Sequence, residues 1–287
     1  MYAVTGITGQ VGGIVAGRLL AEGEKVRAVA RDAVKAAPWA ARGCEMAIAG
    51  MSDAEALTRA FAGMDGVFVL IPPIFDPSPG FTEARAVIAA VREALAATRP
   101  ASIVCLSTVG AQATQPSLLN QLAMMEQELG TLDLPIAFIR AAWFMENAAW
   151  DVASAREGLI HSFLQPLDRA IPMVATADIG ATAARLLRER WTGRRIIELE
   201  GPAPVSPDAL AAALAPLLGH SVQAGTVPRA DWEKLFRIQG MRNPAPRMQM
   251  LDGFNQGWLS FEGGAHVDAI TGATTLETVL RGLLARA

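Results

Sequence analysis

The sequence predicts an α/β fold, in which a doubly wound parallel sheet is followed by a smaller, mainly helical C-terminal part. Three observations support this prediction. Short β-type runs alternate with longer helical patterns through the first half of the chain. The runs are almost continuously apolar, as expected when crossover helices cover both faces of a sheet. A glycine-rich turn, VTGITGQVGG, directly follows the start of the first run and opens a helix.

The elements of the sheet follow in order along the chain. Strands are predicted at YAVTG, KVRAVA, CEMAIA, GVFVLI, SIVCLS and IAFIRA. Helices are predicted near residues 10–23, after KVRAVA, from about Asp53, around 80–98 and near 117–131. Six such strands make a Rossmann-type nucleotide-binding sheet. A later helix at ADIGATAARLLRER and a strand at RIIELEG predict one further unit of the same sheet.

The pattern changes after Arg140. Loops, prolines and aromatic residues lie between Ala141 and Pro172, and helices are predicted near 206–218, 229–239, 245–260 and 274–286, with a short strand at SVQAGTV. We therefore assign residues 1–140 to the nucleotide-binding domain, with 172–200 packing back onto it. Residues 141–171 and 201–287 are assigned to a smaller substrate-binding part.

The first turn of the chain predicts a dinucleotide site. Gly6 permits the turn, Gly9 lets the backbone approach a pyrophosphate, and Gly12 allows the helix to pack closely on the strand. The exposed N–H groups and the dipole of the helix start favour phosphate binding. The spacing is G-x-x-G-x-x-G rather than G-x-G-x-x-G, and a merely structural turn is the alternative.

The residues after the second strand bear on the choice of dinucleotide. An NAD enzyme commonly carries an acid about 20 residues beyond the glycines, but position 31, 19 residues beyond Gly12, is arginine. Arg31 offers a guanidinium to a 2′-phosphate, and Lys35 adds a second charge. Asp32 would repel that phosphate, and a solvated helix start is the alternative interpretation. The predicted cofactor is NADP(H), with NAD(H) as an alternative.

The composition is that of an ordinary globular protein, with a net charge of −3 and 52% hydrophobic residues. No run approaches the roughly 18 to 20 apolar residues of a membrane span, and no signal-peptide pattern is present, so we expect a cytoplasmic protein. No basic block predicts binding to nucleic acid or to a membrane surface. Cys44 and Cys105 lie in apolar segments and are predicted to be buried, and no metal site is predicted.

Several segments in order resemble the NmrA-like group of atypical short-chain dehydrogenases and reductases: TGITGQVG, RAVARD, AFAGMDGVFVLIPP, CLSTVGA and FIRAAWFMEN. That group includes quinone reductases, azo-dye and triphenylmethane reductases, and NADP-sensing regulators. The resemblance implies that the loop from Gly6 to Gly12, with Thr8, Gln10 and Val11, holds the pyrophosphate. It also implies that Arg31 and Lys35 hold the 2′-phosphate.

The same resemblance implies positions for the rest of the cofactor. Ser52 and Asp53 would lie near the adenine. Ile71, Pro72 and Pro73 would run along the ribose. Ser107 and Thr108 would lie near the nicotinamide.

The sequence departs from ordinary short-chain dehydrogenases in its catalytic residues. Those enzymes use a Tyr-x-x-x-Lys pair, in which the lysine lowers the pKa of the tyrosine so that the phenol exchanges a proton with the substrate. Here the only tyrosine is Tyr2, and the only lysines are Lys25, Lys35 and Lys234. The helix after CLSTVGA has no lysine between Asn120 and Ala123, where many members of the group retain one.

Two functions are compatible with this departure. In the first, the protein reduces a small aromatic acceptor, such as a quinone or an azo compound, that needs no strong protein acid. Catalysis then depends on holding the acceptor against the nicotinamide in an apolar pocket. In the second, the protein binds NADP(H) without turnover and reports the redox state to a protein partner.

Aromatic residues directly after the sixth strand predict a pocket wall. Its candidates, each with packing between the two parts of the chain as the alternative, are Trp143, Phe144 and Met145. Met250, in a later stretch of methionines and aromatics, is a further candidate for the pocket wall, with a place in the core as the alternative. Asn147 is a candidate to donate a hydrogen bond to an acceptor oxygen, with helix capping as the alternative. His161 is the candidate proton donor, with a structural role as the alternative. Methionines and aromatics between 241 and 258 also permit a homodimer contact.

Overall fold

The structure is a computed structural model that describes residues 1–286. Strands and helices alternate through its first half in the predicted order. Their bounds are β1 (Tyr2–Thr5), α1 (Gln10–Ala21), β2 (Val26–Ala30), α2 (Ala33–Ala41), β3 (Glu45–Ile48), α3 (Ala54–Phe61), β4 (Gly66–Val69), α4 (Thr82–Thr98), β5 (Ser102–Thr108), α5 (Asn120–Leu129) and β6 (Ile136–Ala141).

The second half is more irregular. Its elements are β7 (Trp143–Phe144), α6 (Val152–Ala155), β8 (Leu159–Ser162), β9 (Met173–Val174), α7 (Thr176–Arg188), β10 (Arg194–Glu200), α8 (Pro207–Leu218), β11 (Gln223–Thr226), α9 (Trp232–Ile238), α10 (Ala245–Gln256), β12 (Asp268–Thr271) and α11 (Leu276–Leu284).

The central sheet has eight strands in the order β12-β10-β6-β5-β4-β1-β2-β3, and every neighbouring pair is parallel. Successive residues of β1 face opposite sides of the sheet: Val4 packs in the layer formed with α1 and α7, and Ala3 packs in the layer formed with α3, α4 and α5. Two apolar layers therefore cover the two faces, and the predicted α/β fold is confirmed.

A third apolar cluster forms the smaller part of the molecule. It brings together residues of α8, α9, α10 and α11 with the segment after β6, and Trp232 and Phe236 are fully buried within it. A two-stranded parallel sheet, β8 with β11, lies against this cluster. This part is mainly helical, as predicted.

The sequence predicts seven strands in the central sheet, but the structure has eight. The additional strand, β12, pairs in parallel with β10, so that Ile197 lies opposite Asp268. Three of its four residues are exposed, so it lacks the apolar run that identifies the other strands. This strand lies within 201–287, the range assigned to the smaller part, and that division of the chain stays a prediction. Ala287 lies outside the described residues.

Within residues 1–286, no helix is both long and apolar enough to cross a membrane. The same residues contain no cluster of His, Cys, Asp and Glu side chains that is arranged to hold a metal ion. Cys44 and Cys105 are both buried as free thiols.

Candidate functional site

The strand order identifies one edge of the sheet as the candidate site. From β1 the chain continues through β2 and β3 to one side, whereas β4, β5 and β6 lie to the other side. Ligands of open parallel sheets bind outside the carboxyl ends of the strands at the point where the order reverses. That point lies between β1 and β4, which are neighbours in the sheet.

The glycine loop after β1 has the geometry that phosphate binding requires. Gly6 has a φ of +63°, and its carbonyl oxygen accepts a hydrogen bond from the N–H of Gly9 at 2.9 Å. A Cβ at Gly12 would lie 2.3 Å from that carbonyl oxygen and 2.9 Å from the carbonyl oxygen of Thr5. Only glycine lets α1 start this close to β1. No side chain within 1–286 caps the N-terminus of α1, so its N–H groups are free to receive an anion.

Thr5 ties the glycine loop to the end of β4. Its buried hydroxyl donates to the carbonyl oxygen of Phe68 at 3.1 Å and accepts from the N–H of Leu70 at 2.8 Å. Ile71 and Pro72 directly follow Leu70, and they therefore lie close to the glycine loop. Thr5 is not among the residues predicted from the sequence, although it is a polar residue at the end of a buried strand.

The end of β2 presents two cations. Arg31 and Lys35 are exposed, and neither forms an ion pair with any residue in 1–286. The carboxylate of Asp32 accepts hydrogen bonds from the N–H groups of Val34 at 2.9 Å and Lys35 at 3.1 Å, and so caps α2. The expected conflict between Asp32 and a phosphate is thereby reduced, because the carboxylate is engaged at the helix start.

The remaining cofactor candidates lie along the same edge. Ser52 is exposed after β3, and Asp53 caps α3 by accepting from the N–H of Ala56 at 2.9 Å. Ser107 and Thr108 end β5 and are buried. The candidates therefore follow the edge in the order Ser52, Arg31, the glycine loop, Ile71–Pro72 and Ser107–Thr108, which is the order of groups from adenine to nicotinamide in a dinucleotide. Their individual cofactor contacts stay predictions.

A buried network of charges that was not predicted from the sequence supports the end of β5. The hydroxyl of Ser107 donates to Glu126 Oε1 at 2.5 Å. Arg140 donates to the Glu126 carboxylate from Nε at 3.0 Å and from Nη2 at 2.7 Å. Its Nη1 donates to Glu262 at 2.6 Å and lies 3.9 Å from Glu198. The hydrogen bond from Arg140 lowers the pKa of the Glu262 carboxyl.

Helix α5 carries a neutral amide near the predicted position of the missing lysine. Gln121 is buried, and its Nε2 donates to the carbonyl oxygens of Ile74 and Leu118, both at 3.1 Å. Tyr2 starts β1 and therefore lies at the opposite edge of the sheet. Burial raises the pKa of its phenol. The carboxyl edge thus has neither a tyrosine nor a lysine from α5.

The candidate pocket residues after β6 divide between two apolar clusters. Trp143 packs edge-on against Phe254, with ring centres 5.1 Å apart, and Met145 and Met250 are buried in the same cluster. Phe144 instead packs against the apolar layer that the sheet forms with α1 and α7.

The two polar candidates differ in their support. Asn147 is half-buried, and its role as a hydrogen-bond donor to the acceptor stays a prediction. His161 is exposed on β8, whereas its neighbour Ile160 faces the core. Strand alternation turns the side chain of His161 toward solvent. This position gives no support to its predicted role as proton donor.

Comparison with known proteins places this geometry in a family. A family model described as NAD(P)H-binding matches residues 6–190, from the first glycine of the loop to the end of α7 and the two residues after it. The chain belongs to the NAD(P)H-binding family. The NmrA-like resemblance seen in the sequence agrees with this membership.

Two curated members are similar over most of the chain. The NAD(P)H azoreductase of Xenophilus azovorans is 28% identical over 247 residues, which cover 84% of this chain and 82% of the relative. Quinone oxidoreductase 2 of Escherichia coli (strain K12) is 27% identical over 245 residues, with the same two coverages of 84% and 82%.

Solved structures of the family share the fold over the whole chain. The NADPH-dependent quinone oxidoreductase QOR2 of Escherichia coli, complexed with NADPH, is 24% identical with a TM-score of 0.81, covering 99% of this chain and 100% of its own. The triphenylmethane reductase of Citrobacter sp., complexed with NADP(H), is 23% identical with a TM-score of 0.81, covering 98% and 99%. These similarities confirm the Rossmann-type fold of this NAD(P)H-binding protein.

Proposed function

We propose that this protein is an NAD(P)H-dependent oxidoreductase that prefers NADPH and transfers a hydride to a quinone-like or azo-type aromatic acceptor. The observation that carries the proposal is the carboxyl edge of the sheet. Among residues 1–286, that edge combines an uncapped helix start at the glycine loop, two unpaired cations after β2, and no tyrosine or lysine from α5. Curated relatives named azoreductase and quinone oxidoreductase support the same class of acceptor.

The positive charge at the end of β2 favours NADPH over NADH. Arg31 and Lys35 offer donors to a 2′-phosphate, and Asp32 is held by the N-terminus of α2. Charge-assisted hydrogen bonds contribute roughly 1.5–3 kcal/mol each, which corresponds to a preference of about tenfold or more.

The absence of a catalytic tyrosine at the carboxyl edge favours an acceptor that needs no protein acid. When bound, the reduced nicotinamide supplies the hydride. An acceptor such as a quinone delocalises the resulting negative charge, so that water rather than a side chain can supply the proton. The protein then holds the acceptor in place through the aromatic and methionine side chains that follow β6 and line α10, and excludes water from them.

The cofactor preference is tested by measuring dissociation constants of NADPH and NADH for the Arg31→Ala variant. We expect NADPH to bind about tenfold more weakly while NADH changes little, because only NADPH carries the 2′-phosphate. Arg92→Ala, which removes an exposed arginine from α4, is the charge-matched control. An unchanged NADPH/NADH ratio in Arg31→Ala would contradict the assignment.

Turnover is tested by following the absorbance of NADPH in the presence of a panel of quinones, azo dyes and imines. Consumption of NADPH with at least one quinone or azo compound is the expected result. No turnover with any of them, together with tight NADP(H) binding and a co-purifying protein, would favour the alternative of a redox sensor.

A further inference from the structure

Arg247 is a cation that has no carboxylate partner among residues 1–286. It lies in the first turn of α10, and its guanidinium carbon is 4.5 Å from the ring centre of Phe236 and 5.9 Å from that of Phe75. Its only hydrogen-bond contact within residues 1–286 is from Nη1 to the sulfur of Met241, at 3.7 Å. Burial lowers the pKa of this guanidinium, as expected for a charge that loses water without gaining an opposite charge.

Three other arginines of the same part of the molecule are paired with carboxylates. Arg229 donates to the carboxylate of Asp252 through two hydrogen bonds, both at 2.7 Å. Arg237 on α9 pairs with Glu233, and Arg281 on α11 pairs with Glu277. Arg247 differs from them in being both more shielded by aromatic rings and unpaired, and a shielded charge without a partner is unfavourable.

Arg247 lies where the loops after β4 and β5 meet α10. Phe75 belongs to the loop that follows β4 and Ile71–Pro72. On the other side, the N–H of Leu118, in the loop after β5, donates to the carbonyl oxygen of Pro246 at 2.9 Å. Since β4 and β5 are adjacent and end at the carboxyl edge, Arg247 borders the end of the edge where the nicotinamide is predicted.

The carboxylate in this loop is already engaged. Asp76 accepts hydrogen bonds from the N–H groups of Arg242 at 3.0 Å and of Asn243 at 2.7 Å. These bonds lower the pKa of the Asp76 carboxyl and fasten the loop to the segment before α10. Asp76 therefore fixes the chain just before α10, and its ion-pair partner is Arg242, whose Nε lies 3.6 Å from the carboxylate, rather than Arg247.

The face of α10 that carries Arg247 also carries the predicted aromatic wall. Met250 and Phe254 follow at the third and seventh positions, so the three side chains share one face of the helix. With a rise of 1.5 Å per residue, the aromatic contact of Phe254 with Trp143 lies about 10 Å along the helix from Arg247. A cation at one end and aromatic rings at the other are complementary to a flat molecule with an acidic substituent.

We infer that Arg247 binds an anionic group, such as a carboxylate, sulfonate or phosphate, carried by the aromatic acceptor. The inference rests on the proposed function, because it places the acceptor beside α10. The planar guanidinium forms two parallel hydrogen bonds with such a group, and the buried Phe236 ring shields one side of them from water. Acceptors of this site are therefore acidic aromatic compounds in preference to neutral ones.

The test uses aromatic probes that accept no hydride, so that binding is measured independently of turnover. Naphthalenesulfonate, naphthoate, naphthyl phosphate and the neutral naphthol are titrated by calorimetry into the protein saturated with NADP+. We expect at least one of the anions to bind about tenfold or more tightly than naphthol, because charged hydrogen bonds are added. In Arg247→Met this anion preference is expected to disappear.

Two further variants separate charge recognition from structure. Arg242→Met removes an exposed arginine that is only five residues away and is expected to retain the anion preference. Arg247→Lys retains the charge but not the two-pronged geometry, and we expect it to retain only part of the preference. It also keeps the test valid if Arg247→Met does not fold.

Equal binding of all four probes to the native protein, or an anion preference that survives in Arg247→Met, would overturn the inference. The proposed function fails by a different result, namely no oxidation of NADPH with any quinone or azo compound. If no acceptor is reduced but the anion preference is lost in Arg247→Met, the Arg247 site is still supported. If neutral quinones are reduced but the native protein shows no anion preference, the Arg247 site is refuted and the proposed function is not.

Discussion

Replacing Gly12 with alanine tests whether the contact between α1 and β1 builds the phosphate site. The added Cβ would lie 2.3 Å from the carbonyl oxygen of Gly6 and 2.6 Å from its carbonyl carbon, both of which are backbone atoms of the loop itself. Carbon and oxygen atoms pack without repulsion at about 3.5 Å, so the helix start must retreat by about 1 Å.

Two effects follow from that displacement. Overpacking of this kind costs about 1–3 kcal/mol, which exceeds the gain of up to about 1 kcal/mol from alanine in a helix. The N–H groups of α1 move relative to the pyrophosphate, and a displacement of about 1 Å weakens a positioned interaction by up to about a hundredfold. We therefore expect a lower melting temperature and a dissociation constant for NADPH raised at least about tenfold.

The assay combines thermal unfolding without cofactor and NADPH titration by fluorescence. Gly17→Ala is the matched control on the same helix, since its Cβ would meet only the flexible end of Arg42, at 3.5 Å. We expect Gly17→Ala to be as stable as the native protein or more stable. The reasoning is refuted if Gly12→Ala binds NADPH with native affinity and melts no lower than Gly17→Ala.

Two further predictions concern carboxyl groups, that of the buried Glu126 and that of the half-buried Asp151. Glu126→Ala leaves Arg140 without its main partner. We expect this variant to reduce the free energy of unfolding, measured in urea, by about 3–5 kcal/mol. Glu128 is exposed on the same helix, and Glu128→Ala is expected to change this free energy by less than about 0.5 kcal/mol. Equal effects of the two would contradict the role of the network. Burial raises the pKa of the Asp151 carboxyl from 3.8 to about 6. Between these two pH values the folded chain binds more protons than the unfolded chain. The free energy of unfolding therefore falls as the pH rises from 3.8 to about 6. Asp151→Asn is therefore expected to be about 1–3 kcal/mol more stable than the native protein at pH 7 but not near pH 4, and an equal difference at both pH values would refute this.

The sheet and the glycine loop were predictable because their signals are local. An apolar run that ends in a glycine turn and continues as a helix has few alternatives, and the roles expected of Gly6 and Gly12 agree with the positive φ and the short Cβ distances. The strand β12 was not predictable in the same way. It is a short edge strand with mostly exposed residues, and its place is determined by pairing with β10, which is distant in sequence.

The buried charges escaped prediction for a different reason. Arg140 interrupts the apolar run IAFIRA, and a charge in a strand buried on both sides calls for a partner. That signal was present, but its partners Glu126 and Glu262 lie in a polar helix and in a loop, where carboxylates are ordinary. Only the fold brings them together, and so the sequence does not reveal that Ser107 is connected to Arg140.

The same network limits the chemistry at the end of β5. The hydrogen of the Ser107 hydroxyl is committed to Glu126, so this hydroxyl can offer only its lone pairs to a bound molecule. Gln121 is likewise committed through its amide hydrogens. Under the proposed function, a hydride delivered at this edge leaves negative charge on the acceptor, and neither Ser107 nor Gln121 has a hydrogen free to neutralise it. Under the proposed function, acceptors that delocalise this charge should therefore react much faster than simple ketones, which need a proton in the transition state. Comparable rates for a quinone and a simple ketone would show that an acid operates at this edge.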